Sequence, residues 1–172
     1  FPGDVIGIVD RGVLHVGDSI ATEKGIDFGG LPRFAPEHFA RVELTDALKR
    51  KQLDAGLRQL TSEGAAQLFF TSASAVSSPT AIVGVVGRLQ FDVLLHRLEH
   101  EYGVTARLEP MGNRQIRWVR GTEANIEAAA RERGRTLLFD AHGAPLFLFE
   151  DPWTLRYAVG NERRVELLEA AD

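Results

Sequence analysis

The sequence contains one literal match to a metal-binding pattern, His96-Arg97-Leu98-Glu99-His100. It fits H-x-x-E-H, in which two histidines one helical turn apart bind zinc. The apolar residues of the same helix recur at helical spacing on roughly the opposite side. They are Phe91, Leu94, Leu95, Leu98 and Tyr102. We therefore expect His96 and His100 to point into solvent, and no third ligand is evident, so we predict neither a catalytic centre nor a metal site.

The chain lacks the residues that hold a nucleotide phosphate. A phosphate-binding loop needs a glycine-rich turn that ends in lysine and serine or threonine. The only lysines are Lys24, Lys49 and Lys51, and none has that setting. Cysteine is absent, which excludes disulfides and thiol nucleophiles and fits a reducing compartment. We expect this chain to bind no cofactor and not to be an enzyme.

Positive charge is concentrated in one part of a chain that is acidic overall. The formal net charge of −4 opposes attraction of the whole molecule to nucleic acid. Between Arg107 and Arg135, however, seven arginines stand against four glutamates, which leaves an excess of three positive charges. This segment is either a local patch that contacts RNA or a set of ordinary solvated helix and strand faces.

The apolar periodicity from residue 38 onward predicts the order β-α-β-β-α-β twice, over about residues 38–110 and 113–172. That order gives two small antiparallel sheets, each with both helices on one face, as in ferredoxin-like α/β sandwiches. Units of about 60 residues are marginal alone, so we expect the two to share an interface. The predicted fold class is α+β, with these two units following the remnant of a β-barrel.

The barrel remnant is predicted over residues 1–33, with strands at residues 5–9 and 13–16. Three or so short strands cannot close a barrel, so this segment resembles the last piece of one whose earlier strands are missing. Pro32-Arg33-Phe34-Ala35-Pro36 keeps the backbone extended and is the expected linker. The second domain is then residues 34–172.

Local signals predict where several elements begin and end. Thr122 should cap a helix that runs to about Arg133. Asp151-Pro152 should begin another helix, which should run through Tyr157 and be stopped by Gly160-Asn161. Residues 164–168 fit a last strand, although part of that segment is equally helical. Gln90, at a strand-to-helix junction, is expected to satisfy a backbone group rather than to contact a partner.

Three motifs in order carry a resemblance to a known family. They are Pro32-Arg33-Phe34-Ala35-Pro36-Glu37-His38-Phe39, Leu48-Lys49-Arg50-Lys51-Gln52-Leu53 and Val83-Gly84-Val85-Val86-Gly87-Arg88-Leu89-Gln90-Phe91-Asp92-Val93. At these spacings they resemble the C-terminal portion of bacterial peptide chain release factor 3, a class II release factor and translational GTPase. The opening Pro2-Gly3-Asp4-Val5-Ile6-Gly7 is similar to the end of the second domain of translational GTPases in general.

The resemblance implies a ribosome-docking domain of a cytoplasmic GTPase that removes class I release factors from the ribosome. Its implied partners are ribosomal RNA and protein and its own GTPase domain, where GTP and magnesium would bind. We expect no membrane and no DNA partner. The cations that we select as hypothetical ribosome contacts are Lys49, Lys51, Arg114, Arg117 and Arg120.

Three alternatives remain at this point. The chain is similar enough to elongation factor G and to the tetracycline-protection proteins to be a fragment of another translational GTPase. Ferredoxin-like units also host ligand-binding regulatory modules. The histidine pattern keeps a zinc peptidase open as the enzyme alternative.

Overall fold

The computed structural model describes residues 2–9, 11, 13–14, 18–26, 35–71, 80–112 and 114–170. The chain divides into two compact units, Phe1–Pro32 and Arg33–Asp172. The predicted polar loop at residues 72–79 and most of the predicted linker lie outside the described residues.

In the first unit, the part that the structure describes contains no helix or strand. The strand predicted at residues 5–9 is therefore wrong. Val5 and Val9 are fully exposed, and the residues between them are exposed as well. A strand needs at least one face packed against an apolar layer, which this segment does not have. The strand at 13–16 falls partly outside the described residues, and the assignment to a barrel stays a prediction.

The described residues of the second unit form eight strands and four helices in the predicted order. The strands are β1 (His38–Leu44), β2 (Gln67–Phe70), β3 (Ala81–Val85), β4 (Ala106–Pro110), β5 (Gln115–Arg120), β6 (Arg135–Asp140), β7 (Pro145–Phe149) and β8 (Glu166–Leu168). The helices are α1 (Arg50–Ser62), α2 (Leu89–Tyr102), α3 (Glu123–Ala130) and α4 (Pro152–Asn161). The α+β class is confirmed, as is the repeat of β-α-β-β-α-β. We call β1 to β4 with their helices the first lobe, and β5 to β8 with theirs the second lobe.

The strands form one continuous antiparallel sheet in the order β4-β1-β3-β2-β6-β7-β5-β8. If the strands are numbered within each lobe, both lobes have the strand order 4-1-3-2. The two halves of the sheet join through the second strand of each lobe, β2 and β6. The prediction of two separate sheets was wrong in this respect. The free edges of β2 and β6 pair through Phe69 with Asp140 and Phe70 with Phe139. An unpaired strand edge offers a row of backbone donors and acceptors, and this short ladder satisfies part of it.

Most helix ends follow the predicted signals. The Asp46 carboxylate accepts a hydrogen bond from the Leu48 amide at the 3-10 turn Ala47–Lys49 that precedes α1. Thr122 caps α3 and Asp151 caps α4 through the amides of Asn125 and Thr154. Gly103 ends α2 with a φ of +64°, a left-handed conformation that favours glycine.

Two predicted ends were wrong. Helix α3 stops at Ala130 rather than near Arg133, and α4 continues through Gly160 to Asn161 before Glu162 turns extended. Helix α4 extends this far because Glu162, just beyond its end, is buried and bound by arginines, which is a tertiary contact. The cost of glycine in a helix is small beside such contacts. The last predicted strand is confirmed as β8.

Three apolar clusters hold the second unit together. One packs the first lobe's strands on α1 and α2, and another packs the second lobe's strands on α3 and α4. The third, which we call the shared core, contains buried residues from both lobes, and every one of them lies in a strand. They are Phe39, Phe69, Ile82, Ile116, Trp118, Leu138, Leu146 and Leu148. The helix-free faces of the two lobes thus pack on each other, which confirms the expected shared interface.

The shared core explains a strand that is buried at every position. In β3, Ala81, Val83 and Val85 face the helices, while Ile82 faces the shared core. Gly84 lies on the same face as Ile82, and a Cβ there would be 2.8 Å from the Cβ of Pro36 and 2.9 Å from Cε2 of Phe69. Glycine is required at this position because two rings occupy the space of a side chain.

A buried ion cluster fixes the end of α4. The Glu162 carboxylate lies 2.7 Å from Nη1 of Arg135 and 2.9 Å from Nη2 of Arg164. The side chains of Glu162 and Arg135 are 2% and 5% exposed, so solvent has almost no access to this pair. The hydrogen bonds from Arg164 and Arg135 lower the pKa of Glu162 far below its ordinary value and outweigh the opposing effect of burial.

The shared core predicts that both lobes unfold together. Phe69→Ala should lower the free energy of unfolding by about 3–5 kcal/mol, since it leaves a cavity against residues of both lobes. Urea unfolding followed by far-UV circular dichroism and by tryptophan fluorescence should give one coincident transition. Leu48→Ala, at a residue that is 90% exposed, is the control and should change stability by less than about 0.5 kcal/mol. Two separate transitions would contradict the shared core.

The ion cluster predicts a strong effect of Glu162→Gln at neutral pH. The substitution leaves Arg135 as a buried charge with a weaker partner, and we expect a loss of about 3–5 kcal/mol. Because the native pKa of Glu162 is depressed, its contribution is complete above the unfolded pKa and declines as pH falls below about 5. The difference between wild type and variant in urea unfolding should therefore be smaller at pH 3 than at pH 7. Glu166→Gln, in the exposed pair with Arg120, is the control and should show little effect at either pH.

Candidate functional site

The five selected cations do not form one patch. Lys49 and Lys51 lie at the beginning of α1 in the first lobe, and the three arginines lie at or beside β5 in the second lobe. Side chains alternate along a strand, so Arg117 and Arg120 point to opposite faces of β5. A contact surface that used all five would have to meet several separate sites on a partner.

Lys49 is used inside the fold. Its Nζ donates a hydrogen bond to the carbonyl oxygen of Gly103, which caps the C-terminus of α2. An ammonium group is favourable there because the last carbonyls of a helix carry partial negative charge. Lys49 thus joins the beginning of α1 to the end of α2, a structural role that accounts for the residue.

Lys51 differs from Lys49 although it is only two positions away. Its side chain is exposed, and it has no hydrogen bond or ion pair within the part of the chain that the structure describes. An exposed lysine of this kind can reach a phosphate without losing an internal contact.

The arginines of β5 have internal partners. Nη2 of Arg117 lies 3.4 Å from the Glu169 carboxylate, and its Nη1 donates to the Ile116 carbonyl at 2.8 Å. Nη1 of Arg120 lies 3.0 Å from the Glu166 carboxylate, with both side chains more than half exposed. Exposed pairs contribute little to stability, so Arg120 in particular could exchange its carboxylate for a phosphate at small cost.

Arg114 is half-buried, and its Nε is shielded from solvent without a hydrogen-bond partner among the described residues. A donor in that position cannot meet a phosphate that approaches from solvent. Any phosphate contact by Arg114 is therefore limited to its terminal nitrogens.

The histidine pattern lies where the helical spacing predicted. His96 and His100 are both exposed, with their ring centroids 3.9 Å apart. Nδ1 of His100 lies 2.9 Å from the carbonyl oxygen of His96, which engages one of its two ring nitrogens. Among the described residues, no group of three or more histidine, aspartate or glutamate side chains is placed to hold a metal ion.

Gln90 has the structural role that was predicted for it. Its Oε1 accepts hydrogen bonds from the amides of Val86 and Gly87, each at 3.0 Å. These amides follow β3 and precede α2, where regular secondary structure gives them no partner. The side-chain oxygen of Gln90 is thus engaged in hydrogen bonds within the strand-to-helix turn.

A groove beside α3 is a concave feature of the second lobe. It has a volume of about 340 Å³ and is lined by Gly121, Glu123, Ile126, Glu127, Leu137, Phe139 and Pro145. Its charged lining is acidic, so the groove does not suit a phosphate or a nucleotide. Within the described part of the chain, no helix is long and apolar enough to cross a membrane.

The Glu162 cluster was not predicted from the sequence. Glu162-Arg163-Arg164 follows the predicted end of α4, and such a run of charges ordinarily indicates a solvated turn. The signal that could have revealed it is the buried partner Arg135 at the start of β6, a pairing across 27 residues that no local pattern shows.

The different positions of the two lysines predict different effects on stability. Lys49→Ala removes the hydrogen bond to the α2 C-terminus and should lower the free energy of unfolding by about 1 kcal/mol. Lys51→Ala is the matched control and should change it by less than about 0.5 kcal/mol. Urea unfolding of both variants measures the difference. Equal effects would show that the Lys49 contact carries no stability.

Comparison with known proteins supplies the family. The sequence family described as class II release factor RF3, C-terminal domain, matches residues 28–159. The chain is 41% identical over 159 residues to peptide chain release factor 3 of Symbiobacterium thermophilum, covering 92% of this chain and 30% of that protein. It is 37% identical over 171 residues to peptide chain release factor 3 of Gloeothece citriformis, covering 99% of this chain and 31% of that protein. The chain thus spans less than a third of either relative. These matches confirm the resemblance drawn from the sequence motifs, and the chain belongs to the family of class II release factor C-terminal domains.

Proposed function

We propose that this chain is the ribosome-docking and conformational-coupling domain of a translation termination GTPase that promotes the release of class I release factors from the ribosome. Family membership supports the setting in termination. The shared core supports the coupling role, and it is the observation on which the proposal depends.

The coupling role requires a body that moves as one piece. Apolar side chains of both lobes interdigitate in the shared core, and the sheet continues across β2 and β6. Moving one lobe relative to the other would expose these side chains and break that ladder, which is costly because packed interiors do not deform continuously. A displacement imposed on one lobe is therefore delivered to whatever the other lobe contacts.

The energy for that displacement comes, in this proposal, from a GTPase domain elsewhere in the parent protein. GTP and magnesium would bind there, and that domain would be an internal partner of this one. This chain itself would bind no cofactor and catalyse no reaction, and the protein would work in the cytoplasm. The proposed organisation is the end of a barrel domain at residues 1–33 and the release factor domain at 34–172, with its lobes at about 38–110 and 113–172.

The proposed ribosome contacts remain those selected from the sequence, and they differ in exposure and in internal partners. Lys51 and Arg120 are the most accessible, and Arg120 can exchange its exposed partner. Arg114 and Arg117 have restricted geometries, and Lys49 is bound internally. We therefore assign the main phosphate contacts to Lys51 and Arg120, in ribosomal RNA rather than DNA.

Co-sedimentation of the 172-residue chain with ribosomes at increasing salt tests the proposal. We expect binding that weakens as salt rises, because each phosphate contact releases counterions. Lys51→Ala combined with Arg120→Ala should reduce the log–log salt slope by about 1–2.

The control for that experiment combines Arg41→Ala with Arg88→Ala. Like the test variant, this control removes two exposed cations, and Arg41 is the one that pairs with Glu109 at the surface. This control should bind like wild type. Binding that does not respond to salt, or equal losses in the two double variants, would remove the docking assignment.

A further inference from the structure

Helix α4 carries two large aromatic side chains that are not packed into the protein. Trp153 is 65% exposed and Tyr157 is 55% exposed. Their rings stack with centroids 5.5 Å apart and an angle of 18° between the planes. Tryptophan and tyrosine normally bury most of their surface, so an exposed parallel pair indicates a surface that contacts something.

The spacing along α4 explains why both rings lie outside. Leu155 and Ala158 are buried and hold the helix against the second lobe. Trp153 and Tyr157 are four residues apart, so they lie one above the other on the opposite side. Arg156, three residues after Trp153, lies on this same outer side.

The helix that presents these rings is held at both ends. Asp151 accepts hydrogen bonds from the amide and hydroxyl of Thr154, and Pro152 occupies the first turn. At the other end, Glu162 is buried in the ion cluster. The stacked rings are therefore presented by a rigid support, and little conformational freedom is lost when a ligand binds them.

Arg156 is the one charged side chain between Pro152 and Asn161, and Glu150 and Asp151 come just before the helix. Beyond the helix, the guanidinium group of Arg163 donates to the carbonyls of Gly160 and Glu162, which holds it at the C-terminal end of α4. Asp151 flanks the face, but its carboxylate is engaged in capping.

We propose that the outer side of α4, formed by Trp153, Arg156, Tyr157 and Arg163 and called here the α4 face, binds unpaired nucleotides of RNA. Bases extend the existing ring stack, and phosphates pair with the two guanidinium groups. Flat aromatic platforms combined with arginine are suited to single strands because every base offers a π-face. This contact is independent of Lys51 and Arg120, and it differs in kind because base stacking contributes to it in addition to phosphate pairing.

The competing occupant is an acidic protein surface, which could also use the arginines. The geometry favours RNA because the two rings are already nearly parallel and form a flat platform, whereas an aromatic anchor for a protein partner inserts singly into a pocket.

Fluorescence anisotropy with a labelled 12-nucleotide single-stranded RNA that cannot pair with itself tests the proposal on the whole chain. The duplex of the same sequence and a polyglutamate peptide serve as the other two probes. We expect the single strand to bind more tightly than the duplex and to quench tryptophan emission, since Trp153 is exposed while Trp118 is only 9% exposed. Polyglutamate should compete weakly.

Variants on α4 separate stacking from general charge. Trp153→Ala should weaken single-strand binding by about tenfold or more, and Trp153→Phe should restore most of it because the π-face returns. Val159→Ala removes another exposed apolar side chain of the same helix and should bind like wild type. Circular dichroism should show unchanged folding in all three.

Several outcomes would overturn the α4 face as an RNA site. They are equal binding of single strand and duplex, a Trp153→Ala variant that binds like Val159→Ala, or polyglutamate that binds more tightly than RNA. Unchanged ribosome binding in the double variant of Lys51 and Arg120, together with oligonucleotide binding that requires Trp153, would support the α4 face alone. Weaker ribosome binding in that double variant, together with oligonucleotide binding that does not depend on Trp153, would support the docking proposal alone.

Discussion

The structure of the second unit depends on how the helix-free faces of its two lobes are covered. Each lobe places both helices on one side of four strands, so the other side would expose a layer of phenylalanine, isoleucine and leucine. Packing these layers together removes them from water, which stabilises each lobe by the surface that the other supplies. Small units with one covered face are marginal alone, and the shared core is what makes them a single stable body.

The β6–β7 turn shows how polar groups complete that arrangement. One carboxylate oxygen of Asp140 accepts from the amides of His142 and Ala144 and so closes the turn. The other accepts from Nε1 of Trp118 at 3.1 Å, which satisfies the only donor of a side chain that lies in the shared core. The same residue pairs with Phe69 across the lobes. One aspartate therefore serves the turn, the core and the junction between lobes.

The element order could be predicted from the sequence because helix period, caps and turn residues are local. Thr122 and Asp151 act in the structure as their types indicated. The joining of the sheets could not be predicted, since it depends on two edges that are distant in sequence. A strand buried on both faces gives an apolar run without alternation, so β3 does not reveal that one side of it faces the other lobe.

The candidate site was less predictable than the fold, because residue type does not show what a cation already binds. Lys49 and Lys51 look alike in the sequence, yet only Lys49 caps a helix. The resemblance supplied the family of the chain, but it did not distinguish these two residues. Gln90 was predictable for the opposite reason, since its turn leaves nearby amides that need a partner.

The arginines show that positive charge in this chain is largely used within the fold. Arg117, Arg120 and Arg135 lie 3.4, 3.0 and 2.7 Å from carboxylates, and Arg97 joins Glu63 to Glu101. Carboxylates from outside residues 107–135 therefore offset part of the positive charge of this segment in the folded chain. With a net charge of −4, long-range attraction cannot hold this chain on RNA. Any contact with RNA must therefore depend on a few side chains in fixed positions. The shared core keeps such side chains in position because it holds the two lobes together as one rigid body.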